Sequence, residues 1–102
     1  MDNVTKQLQT FLVSLHYQPE SVSDKMKHYM EHLFHLLQVD DEVMLCNYFG
    51  LFGHEQKPLS VIARDANTTQ EMCMAHIDEL LHRLAITPEW ELLCSIINQK
   101  KQ

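Results

Sequence analysis

Apolar residues recur at three- and four-residue steps along most of the chain, and period-two alternation is nowhere sustained. The pattern therefore predicts helices and no sheet. A first helix is expected over residues 3–16, capped by Asn3, with Val4, Leu8, Phe11 and Leu15 spaced four, three and four apart. The segment 17–23 holds Pro19 and two serines and reads as a connection in which Ser21 or Ser23 caps the next helix. That second helix is expected over residues 24–38. There Met26, Met30, Leu33 and Leu37 repeat the same spacing, and Tyr29, Phe34 and Leu36 widen the stripe. Two narrow seams of this kind suit an antiparallel helical hairpin or packing against a second copy, so a homodimer is one expectation. Asp40 and Asp41 open a third helix carrying Val43, Met44, Leu45, Tyr48 and Phe49, and Gly50 ends it.

Every boundary has a local signal between residues 58 and 86. Pro58 suits the first position of a short helix to Asp65, on which Leu59, Ile62 and Ala63 share a side. Ala66-Asn67-Thr68 breaks the period: Asn tolerates the left-handed conformation of a sharp turn, and Thr68 with Glu71 three residues on forms a capping box. Cys73, His76, Ile77, Leu80, Leu81 and Leu84 then mark one face of a helix of about four turns. The unit reads as a helix-turn-helix. Thr87-Pro88-Glu89 starts a last helix bearing Trp90, Leu93, Ile96 and Ile97, which fades over residues 98–102. The expected fold is all-α with about six helices in one domain. It comprises an amino-terminal hairpin (residues 1–39), a tri-helical helix-turn-helix unit (40–86) and a closing helix (87–102).

Composition narrows the function more than the fold. The chain is 45% apolar, with two Gly and three Pro, and carries a formal net charge of −6. Phosphate neutralisation by Lys and Arg supplies nearly all non-specific affinity for DNA, and this chain is poor in both. It holds no long uncharged apolar run and no basic leader before Val4, so no membrane partner and a cytoplasmic location are expected. Cys46, Cys73 and Cys94 are odd in number and set within apolar helical patterns, which reads as reduced thiols rather than disulfides or a paired-cysteine zinc site.

At residues 62–86 the sequence resembles the DNA-binding domain of the LuxR/FixJ class of response regulators. The residues carrying the likeness are Ile62-Ala63, Thr69, Cys73, His76, Leu80-Leu81 and the closing run His82-Arg83-Leu84-Ala85-Ile86. Asp41-Glu42-Val43-Met44-Leu45 followed by Tyr48-Phe49-Gly50-Leu51 is also similar to the fourth region of sigma factors, which shares the tri-helical core. The resemblance implies a helix-turn-helix whose second helix reads DNA. The family carries Lys or Arg at several exposed positions of that helix, whereas this chain has Gln70, Met72, Met74 and Ala75, flanked by the acids Glu71, Asp78 and Glu79. Arg83 is the helix's one full cation.

Gln70, Glu71, Met72, Met74 and Ala75 are therefore the expected partner- or DNA-facing patch, in which Met72 and Met74 are either adaptable thioether contacts for another protein or ordinary packing over the neighbouring helices. His28, His32 and His35 align on one stripe of the second helix, the spacing of a partial zinc site and equally of a solvated polar face; no metal is expected. His76 is expected as a satisfied, half-buried imidazole. No nucleophile–base pair, apolar acid pair or phosphate loop is present, so an enzyme is not expected, no catalytic residue is assigned and no cofactor is implied. The expected function is a small transcription-regulatory protein with a degenerate helix-turn-helix, acting on another regulator or an RNA polymerase subunit. Its alternatives are a direct DNA-binding regulator and a small acidic helical chaperone or assembly factor of a secretion system.

Overall fold

A computed structural model describes residues 3–100, the side chains of residue 21 and residues 97–100 excepted; Ile97 and the fading tail thus lie outside the described side chains. The elements are α1 (Asn3–Tyr17), a 3-10 turn (Pro19–Ser21), α2 (Asp24–Phe34), α3 (Val39–Phe49), α4 (Leu59–Asp65), α5 (Gln70–Ala85) and α6 (Pro88–Lys100). The fold is all-α, as the periodicity requires, with no strand among the described residues.

Several boundaries differ from the sequence expectation for local reasons. Ser23 caps α2, its hydroxyl accepting from Met26 N–H at 3.2 Å. α2 ends at Phe34, four residues early, because the chain tightens into three-residue hydrogen bonds. Leu36 N–H reaches Leu33 O at 3.1 Å and Leu37 N–H reaches Phe34 O at 3.0 Å. Gln38, with extended backbone, then precedes α3. Pro58 stands just outside α4 with extended backbone (φ −61°, ψ 151°), not at its first position. Thr69, not Thr68, caps α5, accepting from Met72 N–H at 3.1 Å. Thr68 belongs to the preceding turn: its N–H bonds Ala63 O while Asn67, at φ 59°, bonds Arg64 O, both at 3.0 Å. This is a Schellman closure with Asn in the left-handed position. Thr87 caps α6 as expected, accepting from Trp90 N–H at 3.2 Å.

α1 is rotated from the expected seam. Its buried line is Thr5, Leu8, Leu12 and Leu15, while Val4 is exposed and Phe11 half-buried against Trp90, with ring centroids 5.8 Å apart. A seam drawn through apolar residues alone omits Thr5, whose hydroxyl lies 3.3 Å from His82 Nδ1 across the α1–α5 contact. The first two helices do not stand apart as a hairpin unit. α1 packs chiefly along α5, α2 chiefly on α6, and α3, α4 and α5 pack on one another. The seams of α1 and α2 are thus filled from within the chain, and their buried residues join one cluster with Leu45, Phe49, Ile77, Leu80, Leu81, Leu84, Trp90 and Leu93. Tyr29 and Leu36, expected to widen the second stripe, are exposed.

Gly50 closes α3 in the left-handed region at φ 70°. A Cβ there would also meet His16 Nδ1 at 2.7 Å, and that ring nitrogen donates to Gly50 O at 2.9 Å. The end of α1 is therefore fastened to the end of α3 by a contact only glycine permits.

Candidate interaction face of the helix-turn-helix

α5 is placed by its buried side, where Cys73, Ile77, Leu80, Leu81 and Leu84 are each at most 1% exposed. Its opposite side must then face solvent over the first two turns. Gln70, Glu71, Met72 and Ala75 are all exposed there, and Met72 is 66% exposed. Met74 does not join them. Two residues along a helix is a rotation of about 200°, so Met72 and Met74 cannot share a face. Met74 instead lies partly buried against the core, and Tyr48 Oη donates to its sulfur at 3.6 Å. The expected patch therefore loses Met74, which is a packing residue between α3 and α5.

In exchange the structure adds residues that the apolar pattern leaves aside. A broad groove of about 800 Å³ runs between α4 and the start of α5, lined by Ser60, Ala63, Arg64, Thr68, Gln70 and Met72 among others. None of its lining residues is acidic. The signal was present in the left-handed Asn67, since a turn that bends α4 away from α5 leaves a cleft on its outer side.

Arg64 borders this face and Arg83 stands at the far end of α5, and both are met by acids. Arg83 Nη2 bonds Glu79 Oε1 at 2.9 Å, one helical turn apart, and Arg64 Nε lies 3.7 Å from Asp65 Oδ1. These are the chain's only arginines, and each already faces a carboxylate. Asp78, half-buried on the same helix, has a buried Oδ1 without a hydrogen-bond partner among the described residues.

His76 is half-buried, its Nε2 2.8 Å from Asp41 Oδ1 in the first turn of α3. The imidazole is here a fastening between α5 and α3. His28, His32 and His35 are all exposed; His35 Nδ1 lies 3.0 Å from Glu42 Oε1. Among the described residues no group of three or more His, Cys, Asp or Glu side chains is arranged to hold a metal ion. Burial pushes the Cys46 thiol up to about 12, helped by Glu42 and Glu31, and raises Cys73 as well; in Cys94 burial and then Glu91 act the same way. All three cysteines are free thiols held in the protonated form. Among the described residues no helix is long and apolar enough to cross a membrane. Compared with known proteins, the chain matches no family model, no curated protein and no solved structure.

Proposed function

We propose that this chain is a small, non-enzymatic regulator of transcription whose helix-turn-helix meets another protein, either a regulator or an RNA polymerase subunit, through the outer side of α5. One observation carries the reading. The exposed leading face of α5, Gln70, Glu71, Met72 and Ala75, holds no cation, and the unit's two arginines are each paired with an acid. A helix entering the major groove in this state would bring carboxylates toward phosphates, with few counterions released in return. Against a protein the same face offers a solvent-exposed thioether beside a groove, an adaptable apolar contact.

Purified protein titrated onto purified RNA polymerase, and onto DNA-binding regulators purified from the same cells, tests the reading. Saturable binding is expected that Met72→Lys and Ala75→Lys each weaken about tenfold. Binding untouched by both substitutions would move the contact off this face.

The acid-free groove favours a second reading, direct DNA binding. Arg64, Asn67, Thr68 and Thr69 are the residue types that meet phosphates beside a recognition helix. A tight, salt-dependent shift of one promoter fragment by the pure protein, lost in Arg64→Gln, would establish it in place of the first.

A further inference from the structure

The outer side of α2 carries a pair of imidazoles that the function proposed above does not use. His28 and His32 stand one turn apart, about 6 Å along the helix axis and about 40° around it, and both are exposed. Glu31 lies between them in sequence, a spacing by which a helix offers two imidazoles to one zinc ion. Neither histidine has a hydrogen-bond or ion-pair partner among the described residues, whereas His35, next along the stripe, is taken by Glu42 at 3.0 Å. The helix beneath them is fixed. Met26, Met30, Leu33 and Phe34 are buried on its opposite side, and Ser23 caps its start. The pair is therefore held in register on a face that cannot turn inward.

The surroundings suit a cation with a taste for nitrogen. Asp24 and Glu31 are exposed within a turn of the pair, and Lys25 on the same side has its ammonium over the Tyr29 ring, 6.0 Å from the centroid. Imidazole suits zinc, whereas magnesium selects oxygen ligands. Zinc in a closed site takes four ligands in a tetrahedron, and among the described residues one chain nowhere arranges three. One chain thus fills two positions and leaves two directed away from its surface. A second copy turned about a two-fold axis brings the same pair to those positions, so that both halves of the site are identical. Without the metal two copies repel, since each carries a net charge of −6 and the seams of α1 and α2 are filled from within the chain.

We infer that His28 and His32 form half of a zinc site, which two copies of the chain complete with four imidazoles. Tyr29, 38% exposed between the two histidines, enters the same contact. The zinc ion sets two positive charges where the copies meet, and pairing becomes conditional on the metal. No residue of α2 lines the groove beside Met72, so a zinc-joined pair presents that groove twice.

Sedimentation of the full-length protein in chelator, in zinc chloride and in magnesium chloride tests the inference, with calorimetric titration for stoichiometry. Zinc should convert monomer to dimer at one ion per two chains, chelator should reverse it, and magnesium should do neither. His28→Gln and His32→Gln should each weaken zinc binding by more than about tenfold and abolish the dimer, while His35→Gln changes neither. All three positions are exposed, and an unchanged helical circular dichroism spectrum confirms that each variant folds. Cobalt(II) in place of zinc should show the visible bands of a tetrahedral site without the near-ultraviolet absorption of a thiolate ligand. A zinc dimer that survives both substitutions, or a thiolate band, would move the metal elsewhere and overturn the inference. One zinc per monomer with no change in mass would overturn it as well, as would a dimer indifferent to chelator. Loss of the Met72 contact leaves these outcomes untouched and bears only on the function proposed above.

Discussion

The two ends of α5 present opposite surfaces on one rigid element. At the amino-terminal end the groove beside α4 is broad, hydroxyl- and amide-rich and free of acids, with one thioether at its edge. At the carboxy-terminal end a narrower hollow is floored by leucines, with the acidic first turn of α3 beside it. The contrast comes from how each end is stopped. A left-handed Asn and a Thr cap close the first with polar groups that must face water, whereas the second is closed by the backbone bonds of Ile86 and Thr87 together with the Thr87 hydroxyl on Leu84 O, which leave Leu36 and Ile86 exposed. What a surface offers a partner is here decided by how the helix beside it is terminated.

Both surfaces depend on α5 being one body, and Leu80→Ala strikes at that most strongly. Leu80 is fully buried midway between the ends, and its truncation should cost about 2–5 kcal/mol in chemical unfolding. Both surfaces should be lost in one transition; a variant that kept one while losing the other would break the premise. Met74→Lys should cost about 1–3 kcal/mol by forcing an ammonium beside Tyr48, while Met72→Lys should change stability by no more than about 0.5 kcal/mol. Equal effects would return Met74 to the outer face.

Alkali tests α3, the helix beside the hollow. The Cys46 thiol titrates at about 12 in the folded chain against 9.0 ordinarily, so above pH 9 the unfolded chain releases a proton that the folded chain keeps. Stability should therefore fall by about 1 kcal/mol per pH unit between these values, and Cys46→Ala should reduce that slope in urea titrations. Thr69→Ala removes the cap at the groove end and should cost about 1 kcal/mol, with faster amide exchange in the first turn of α5 and none of the change at residues 83–87. His76→Ala, whose imidazole is partly solvated, is the smallest at about 1 kcal/mol or less. It should loosen the first turn of α3, read as faster amide exchange at residues 40–42, and leave any contact through Met72 unchanged.

The helices were legible because apolar spacing and capping residues agree almost everywhere, and Asn67, Gly50 and Thr87 mark their turns as the structure has them. Which face of each helix turns inward was less so. On α1 a threonine is buried and a valine exposed because the contact with α5 includes a hydroxyl–imidazole pair, which a tally of apolar residues cannot register. Thr68 and Thr69 are chemically alike, and only the closure of α4 decides which remains to cap α5. On the candidate face Gln70, Glu71, Met72 and Ala75 follow from the helical period alone. That same period excludes Met74 from the face, since it is two residues from Met72. The hollow was invisible because its walls come from residues 36–41 and 83–87, which only the fold brings together.

Trp90, the chain's single tryptophan, is 1% exposed beside Phe11, and its indole N–H meets no acceptor among the described residues. An indole so enclosed emits toward the blue, and the enclosure exists only while α6 and α1 are both seated. The protein thus carries a native optical gauge at the junction of its first and last helices. Its emission should shift red when that junction opens, even while circular dichroism still reports intact helices, and should stay still when a partner docks on the outer side of α5.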